Sequence, residues 1–178
     1  MMFLLVILVQ AQQQSAQELT VVPFVDLNRY AGKWYEIARL PNSFQKQCTG
    51  DVTATYVLQS DETIKVINRC RNVKGELEEA EGQAKKNSND TSHAKLKVRF
   101  APKILSFLPF VWGNYWIIDL AADYSYAVVG EPDRKYLWIL SRTPVLGEDV
   151  LGSIFDDIRA KGYDPTQLVR TMQSTMNK

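Results

Sequence analysis

The sequence predicts an all-β protein: eight short strands in up-and-down antiparallel order, closed into a barrel, with one amphipathic α-helix packed outside near the C-terminus. Three observations carry this expectation. Between residues 33 and 142 the apolar residues recur at period two in short runs, the spacing of a strand with one buried face. Each run is joined to the next by a link short enough for an antiparallel neighbour. After Thr143-Pro144 the period changes to that of a helix. A sandwich is the competing arrangement, but a barrel removes both exposed edges and, at eight strands, can hold one small ligand.

Met1 to Val9 is nearly all apolar and leads through Val9-Gln10-Ala11 into a Gln-rich stretch. That is the pattern of a signal peptide without its positively charged start. At about nine residues it is too short to cross a bilayer, which takes about 20. The expectation is a leader over residues 1–18, one domain over 19–172 and a tail over 173–178, in an exported protein. No cysteine precedes Cys48, so the sequence contains no lipobox.

Asp26 is placed to cap a single helical turn ending at Tyr30, before Gly32. The first strand, 33–39, places Trp34, Glu36 and Ala38 on one face. Residues 40–50 contain Pro41, Asn42, Ser43 and Gly50 and no alternation, so they form a long loop of the kind that covers sites; Phe44 is its apolar side chain. The second and third strands, 51–58 and 63–71, are rich in Val, Thr and Tyr and joined by Gln59-Ser60-Asp61-Glu62 as a hairpin turn. The fourth, 77–86, turns the small residues Ala80, Gly82 and Ala84 to one side, which leaves space inside. In the fifth, Leu96, Val98 and Phe100 alternate with Lys95, Lys97 and Arg99, whose charges are expected on a solvated outer face. A register placing Glu81 opposite Arg99 would pair opposite charges, worth about 0.2–1 kcal/mol.

Residues 101–113 crowd Phe107, Leu108, Phe110 and Trp112 between prolines, which rules out a central strand. The last three strands follow at 114–120, 124–130 and 135–142. In the final helix Val150, Leu151, Ile154, Phe155 and Ile158 form one apolar stripe, with Glu148 and Asp149 at its start and Gly162 placed to stop it.

Composition excludes several functions. A net charge of +1 gives no clustered basic face for nucleic acid. Two cysteines and one histidine are a poor supply of metal ligands, and the cysteine spacing matches neither a zinc site nor a redox pair. No metal and no cofactor are expected.

Three short motifs, Gly32-x-Trp34, Asp123-Tyr124 and Arg142 at the end of the last strand, resemble those of the lipocalins. The likeness is closer to the bacterial lipocalins related to apolipoprotein D, through Trp34-Tyr35-Glu36-Ile37-Ala38-Arg39, Val52-Thr53-Ala54-Thr55-Tyr56 and the segment from Tyr136 to Pro144. The resemblance implies that Gly32, Trp34, Asp123, Tyr124 and Arg142 close one end of the barrel, the arginine covering the Trp34 ring. A guanidinium on an indole face is worth about 0.5–2 kcal/mol.

If the first strand starts at the closed end, the loop 40–50 and the segment 101–113 both lie at the open end. Cys48 and Cys70 then fall near that rim on neighbouring strands. A disulfide there would be worth roughly 3 kcal/mol in the chain-entropy model and would fit an oxidising compartment; two unrelated thiols are the alternative. The strand phases turn Glu36, Ala38, Tyr56 and Leu58 inward, then Val66, Asn68, Leu96, Val98 and Phe100, and finally Tyr115, Ile117, Tyr136, Trp138 and Leu140. This lining is apolar and aromatic. It suits a fatty acid or a lysophospholipid-like amphiphile, the ligand class that the resemblance implies. Phe44, Phe107, Leu108, Phe110 and Trp112 would form the rim of a monomer or homodimer, either touching a membrane surface or a second copy during exchange or folding down to complete the wall of the cup.

Enzyme activity is not expected. A few members of the family catalyse isomerisations or redox steps, but here only Cys70 and Glu36 are candidates, and neither has an evident partner in the sequence. The resemblance implies an exported protein of the periplasm or outer membrane that carries or stores its ligand. A purely structural envelope protein is the remaining alternative.

Overall fold

The computed structural model describes residues 18–100 and 111–174. Leu27–Tyr30 is a helical turn, α1, capped by the Asp26 carboxylate, which accepts from the Asn28 amide. The strands are β1 Gly32–Arg39, β2 Cys48–Leu58, β3 Ile64–Asn72, β4 Leu77–Lys86, β5 Lys95–Arg99, β6 Gly113–Leu120, β7 Tyr126–Gly130 and β8 Leu137–Ser141. A helix, α2 Glu148–Ala160, and a short strand, β9 Val169–Arg170, complete the chain order. Neighbours along the sequence pair antiparallel from β2 to β8, and β1 joins β8 to β2 to close the barrel.

β1 holds the closure in two stages. From Gly32 to Tyr35 it pairs with β2; from Tyr35 onward it pairs with β8. Where β1 leaves β2, β9 takes up its free edge at Ala38 and Arg39. The C-terminal segment continues this repair. Asp51 donates its amide to the Met172 carbonyl, and the Gln173 amide donates to both Glu36 O and Val52 O. Gln173 is buried, and Ser174 bonds Asp51. The tail expected from residue 173 therefore starts with two residues that belong to the barrel wall.

Two apolar clusters follow from the alternation. One fills the closed half of the barrel around Trp34, Ile64, Val66, Leu96, Ile117 and Val129. The other lies outside, between the sheet and α2, where Leu151, Ile154 and Ile158 meet Ile37, Ala38, Val128 and Ile139. The helix stops with the amides of Lys161 and Tyr163 both donating to Ile158 O, while Gly162 takes a positive φ.

Several expectations are corrected. β7 starts at Tyr126, because Tyr124 belongs to the preceding turn, its amide donating to Ala121 O. β8 starts at Leu137, after a turn in which Arg134 has φ 58° and the Glu131 carboxylate accepts from the amides of Asp133 and Lys135. Arg99 stands opposite Gln83 and not Glu81, which faces Ile67 and pairs with Lys65. A slip of two residues keeps every side chain on its face, so alternation could not distinguish these registers. Arg99 is also buried, not solvated: its guanidinium donates to Gln83 and lies 5.0 Å from the Trp112 ring centre.

Candidate functional site: a cavity between a sealed floor and a latched mouth

The floor is built by the two ends of the barrel sequence. Trp34 is fully buried at the start of β1, and its indole N–H donates to Tyr30 O at 2.8 Å. The Arg142 guanidinium lies 3.7 Å from the centre of that ring and donates to the carbonyls of Arg29, Tyr30 and Lys33. Gly32 has φ +95°, a backbone conformation that side-chain-bearing residues rarely adopt, so the turn that brings Trp34 under Arg142 calls for the motif glycine. The Tyr124 hydroxyl accepts from the Asp26 amide, the Arg29 guanidinium covers its ring at 4.0 Å, and Asp123 caps its own turn through the Ser125 amide.

Above this floor lies a cavity of about 750 Å³, within the range of small-molecule sites. Tyr56, Val66, Asn68, Val98 and Tyr115 line it lower in the barrel, and Glu36, Phe100, Tyr136, Trp138 and Leu140 line it as well. Leu58, Leu96 and Ile117 belong instead to the packed cluster of the closed half. Ala38 does not face inward. A bulge between Glu36 and Ala38 reverses the phase of β1, and Ala38 packs in the outer cluster beneath α2. The sequence reading missed Val52 and Thr53, which both border the cavity because β2 is irregular between Gly50 and Thr53. Gly50 was the one available signal: a Cβ there would stand 2.8 Å from Met172 O.

At the mouth, Asn42 caps a 3-10 turn, Ser43–Gln45, that holds Phe44 over Tyr136 and Trp138, with ring centres 5.3 and 6.1 Å away. Tyr136 and Trp138 stack on each other at 5.9 Å. The loop is latched to the wall through Gln45. Its amide N–H donates to Glu36 Oε2 at 2.7 Å, and its oxygen accepts from Trp138 Nε1 at 2.9 Å and from Asn42 Nδ2 at 2.8 Å. Glu36 Oε1 accepts from Arg39 Nη1 at 2.7 Å and from the Thr171 hydroxyl. Neither Gln45 nor Thr171 was expected here: Gln45 lies in a loop without alternation, and Thr171 reaches Glu36 from 135 residues away.

Cys48 and Cys70 form a disulfide between β2 and β3 at this same end. Both side chains singled out for possible chemistry are thus engaged: Cys70 in the disulfide, Glu36 in three hydrogen bonds. Trp112 borders the cavity with its ring against Lys85 and Arg99. Phe107, Leu108 and Phe110 lie outside the described residues. Among the described residues no group of three or more His, Cys, Asp or Glu side chains is placed to hold a metal ion.

Comparison with known proteins agrees with this geometry. A family model described as "Lipocalin-like domain" matches residues 25–173. The chain is 40% identical to temperature-induced lipocalin-1 of Arabidopsis thaliana over 159 residues, covering 89% of this chain and 84% of that protein. It is also 40% identical to outer membrane lipoprotein Blc of Vibrio cholerae over 150 residues, covering 83% and 82%. Among solved structures, insecticyanin from the tobacco hornworm Manduca sexta superposes with a TM-score of 0.67 at 22% identity, covering 87% of this chain and 84% of that one. A sealed floor, a roomy apolar interior and a family match across nearly the whole barrel lead to one conclusion: this chain belongs to the lipocalins, a family of barrels known for binding small hydrophobic molecules.

Proposed function

We propose that this protein binds and carries a fatty acid or lysophospholipid-like amphiphile in its barrel, exchanging it through the mouth beside Phe44. The observation that carries this reading is the cavity of about 750 Å³, whose exposed wall is mostly aromatic and aliphatic although charged side chains such as Glu36, Arg69, Glu79 and Arg99 also border it. Burying hydrocarbon there supplies affinity at about 25 cal/mol per Å². The Asn68 amide, which lines the cavity without a hydrogen bond to the described residues, is available to orient a polar group. The aromatic mouth suits a chain that enters tail first. The likeness to proteins named as outer membrane lipoproteins supports an exported protein working at an envelope. On this reading the apolar side chains Phe107, Leu108, Phe110 and Trp112, the last of which borders the cavity, touch the membrane during exchange.

Mass spectrometry of an organic extract of the native protein tests the ligand. Acyl-chain lipids in about equimolar amount are expected; a lipid-free protein that also takes up no added fatty acid refutes the reading and favours a structural role. Co-sedimentation with liposomes that is unchanged by Phe110→Ser with Trp112→Ser removes the membrane contact.

A further inference from the structure

At the inner end of the cavity three phenols meet. The Tyr30 and Tyr115 hydroxyl oxygens are 2.7 Å apart, and those of Tyr56 and Tyr115 are 2.8 Å apart. Tyr30 rises from α1 and packs on the floor tryptophan, with ring centres 5.0 Å apart. Tyr56 and Tyr115 line the cavity, whereas Tyr30 is sealed beneath it.

Counting protons decides what this cluster can do. Each hydroxyl carries one hydrogen, and two O···O contacts consume two of the three. The third has no acceptor among the described residues. Since Tyr30 is closed off from the cavity, the surplus O–H belongs to Tyr56 or Tyr115, both of which face it. Relayed hydrogen bonds polarise one another, which makes that outward proton a better donor than an isolated phenol. Burial pushes all three phenols above their usual range, Tyr56 to about 12, so the cluster stays a neutral donor at physiological pH. The Arg142 cation lies against the floor tryptophan and spends its donors on backbone carbonyls. The two arginines that border the cavity are engaged elsewhere, Arg69 with Glu79 and Arg99 with Gln83 and the Trp112 ring, so a carboxylate brought to the cluster would lose its hydration at a cost that a neutral oxygen does not suffer.

We propose that Tyr30, Tyr56 and Tyr115 form a deep subsite for a neutral oxygen acceptor, a hydroxyl or carbonyl at the inner end of the ligand's hydrocarbon body. The inference rests on the reading that the barrel holds an amphiphile. It adds that the preferred ligand is polar at both ends, its charged group at the mouth and its neutral oxygen on the tyrosines.

The test compares hexadecanoic acid with ω-hydroxyhexadecanoic acid, binding being followed by tryptophan fluorescence. A variant with a single tyrosine changed to phenylalanine is uninformative, because unused hydroxyl hydrogens remain: one after Tyr30→Phe or Tyr56→Phe, and two after Tyr115→Phe, since Tyr115 is the hydroxyl that both of the others contact. The triple variant Tyr30→Phe, Tyr56→Phe, Tyr115→Phe removes every hydroxyl without leaving an orphan. In the wild-type protein the ω-hydroxy acid should bind at least as tightly as the plain acid. The triple variant should shift that preference against the ω-hydroxy acid by roughly five- to ten-fold, the worth of one buried hydrogen bond, read as the ratio of the two affinities in one variant so that any change in hydrocarbon contact cancels. An unchanged preference with intact hexadecanoic acid binding overturns the subsite alone; failure of the wild type to bind either acid overturns the amphiphile reading with it. Should the triple variant not fold, the tyrosine difference absorption of the wild type decides: a shift with the ω-hydroxy acid and none with the plain acid supports the subsite, and identical spectra overturn it.

Discussion

Replacing Glu36 by glutamine should destabilise the barrel strongly although it changes a single atom. Glu36 and Arg39 are 3% and 13% exposed, so neither charge is well screened by water. The carboxylate faces three donors: Arg39 Nη1, the Thr171 hydroxyl and Gln45 Nε2. Gln45 cannot turn round to accept, because its oxygen already takes hydrogens from Trp138 and Asn42. A glutamine amide at position 36 must therefore set its own NH₂ against one of these donors. Removing one partner of a buried ion pair costs about 3–5 kcal/mol. At roughly 2–4 °C per kcal/mol for a chain of this size, the expected fall in Tm is about 6–20 °C. The assay is thermal unfolding by circular dichroism, with stopped-flow release of a bound fatty acid as a second readout, since the latch on the 42–45 loop is lost too. Adding Arg39→Met should recover part of the loss by removing the stranded charge. A Tm within about 2 °C of wild type, at most about one kcal/mol on the same scale, would refute the view that Glu36 is the mouth's structural hub.

Two further outcomes follow from the floor. Arg142→Ala should cost roughly 2–3 kcal/mol, from the lost cation–π contact and carbonyl bonds, and should shift Trp34 emission to the red. Arg142→Lys should restore less than half, because an ammonium cannot reproduce the planar fork; full rescue in urea unfolding would argue against that geometry. The tyrosine cluster predicts an alkaline limit. Burial raises the folded pKa values of Tyr30, Tyr56 and Tyr115 above the unfolded value near 10, so their contribution is complete below about pH 10 and is lost as pH rises through the folded values, about 12 for Tyr56. Urea unfolding across this window should show a steeper loss in the wild type than in the triple phenylalanine variant, and equal slopes would contradict it.

The strands were legible because their alternation is physical: Leu96 and Val98 face inward, and Lys95 and Lys97 do not, since the pleat leaves no other option. Trp34 and Arg142 were legible as a pair only through the family motifs, since they lie more than a hundred residues apart. The mouth was less readable. Ile37 and Ala38 both pack outside after the bulge, and an apolar pair gives no sign that the phase has reversed. Glu36 could be placed inside, but Thr171 comes to it from 135 residues away, on a tail without periodicity. The tyrosine cluster escaped for a similar reason. Tyr56 and Tyr115 were expected to line the barrel, yet the hydroxyl that joins them to the floor belongs to Tyr30, which reads only as the end of a capped turn.

The C-terminal segment explains how one barrel can be tight at one end and roomy at the other. β1 pairs with β2 only as far as Tyr35 and then turns away toward β8. Divergence of neighbouring strands widens the mouth, but it also exposes ladder groups on both edges, and buried unpaired groups of this kind are costly. Here the edges are covered in sequence: β9 pairs with β1 at Ala38 and Arg39, Thr171 donates its amide to Ile37 O, and Asp51 donates to Met172 O. Gln173 spans the gap itself, its amide nitrogen donating to Glu36 O on one strand and Val52 O on the other. A glutamine side chain thus replaces the ladder that a closer pair of strands would have made. The wall beside the cavity can open without becoming a sheet edge.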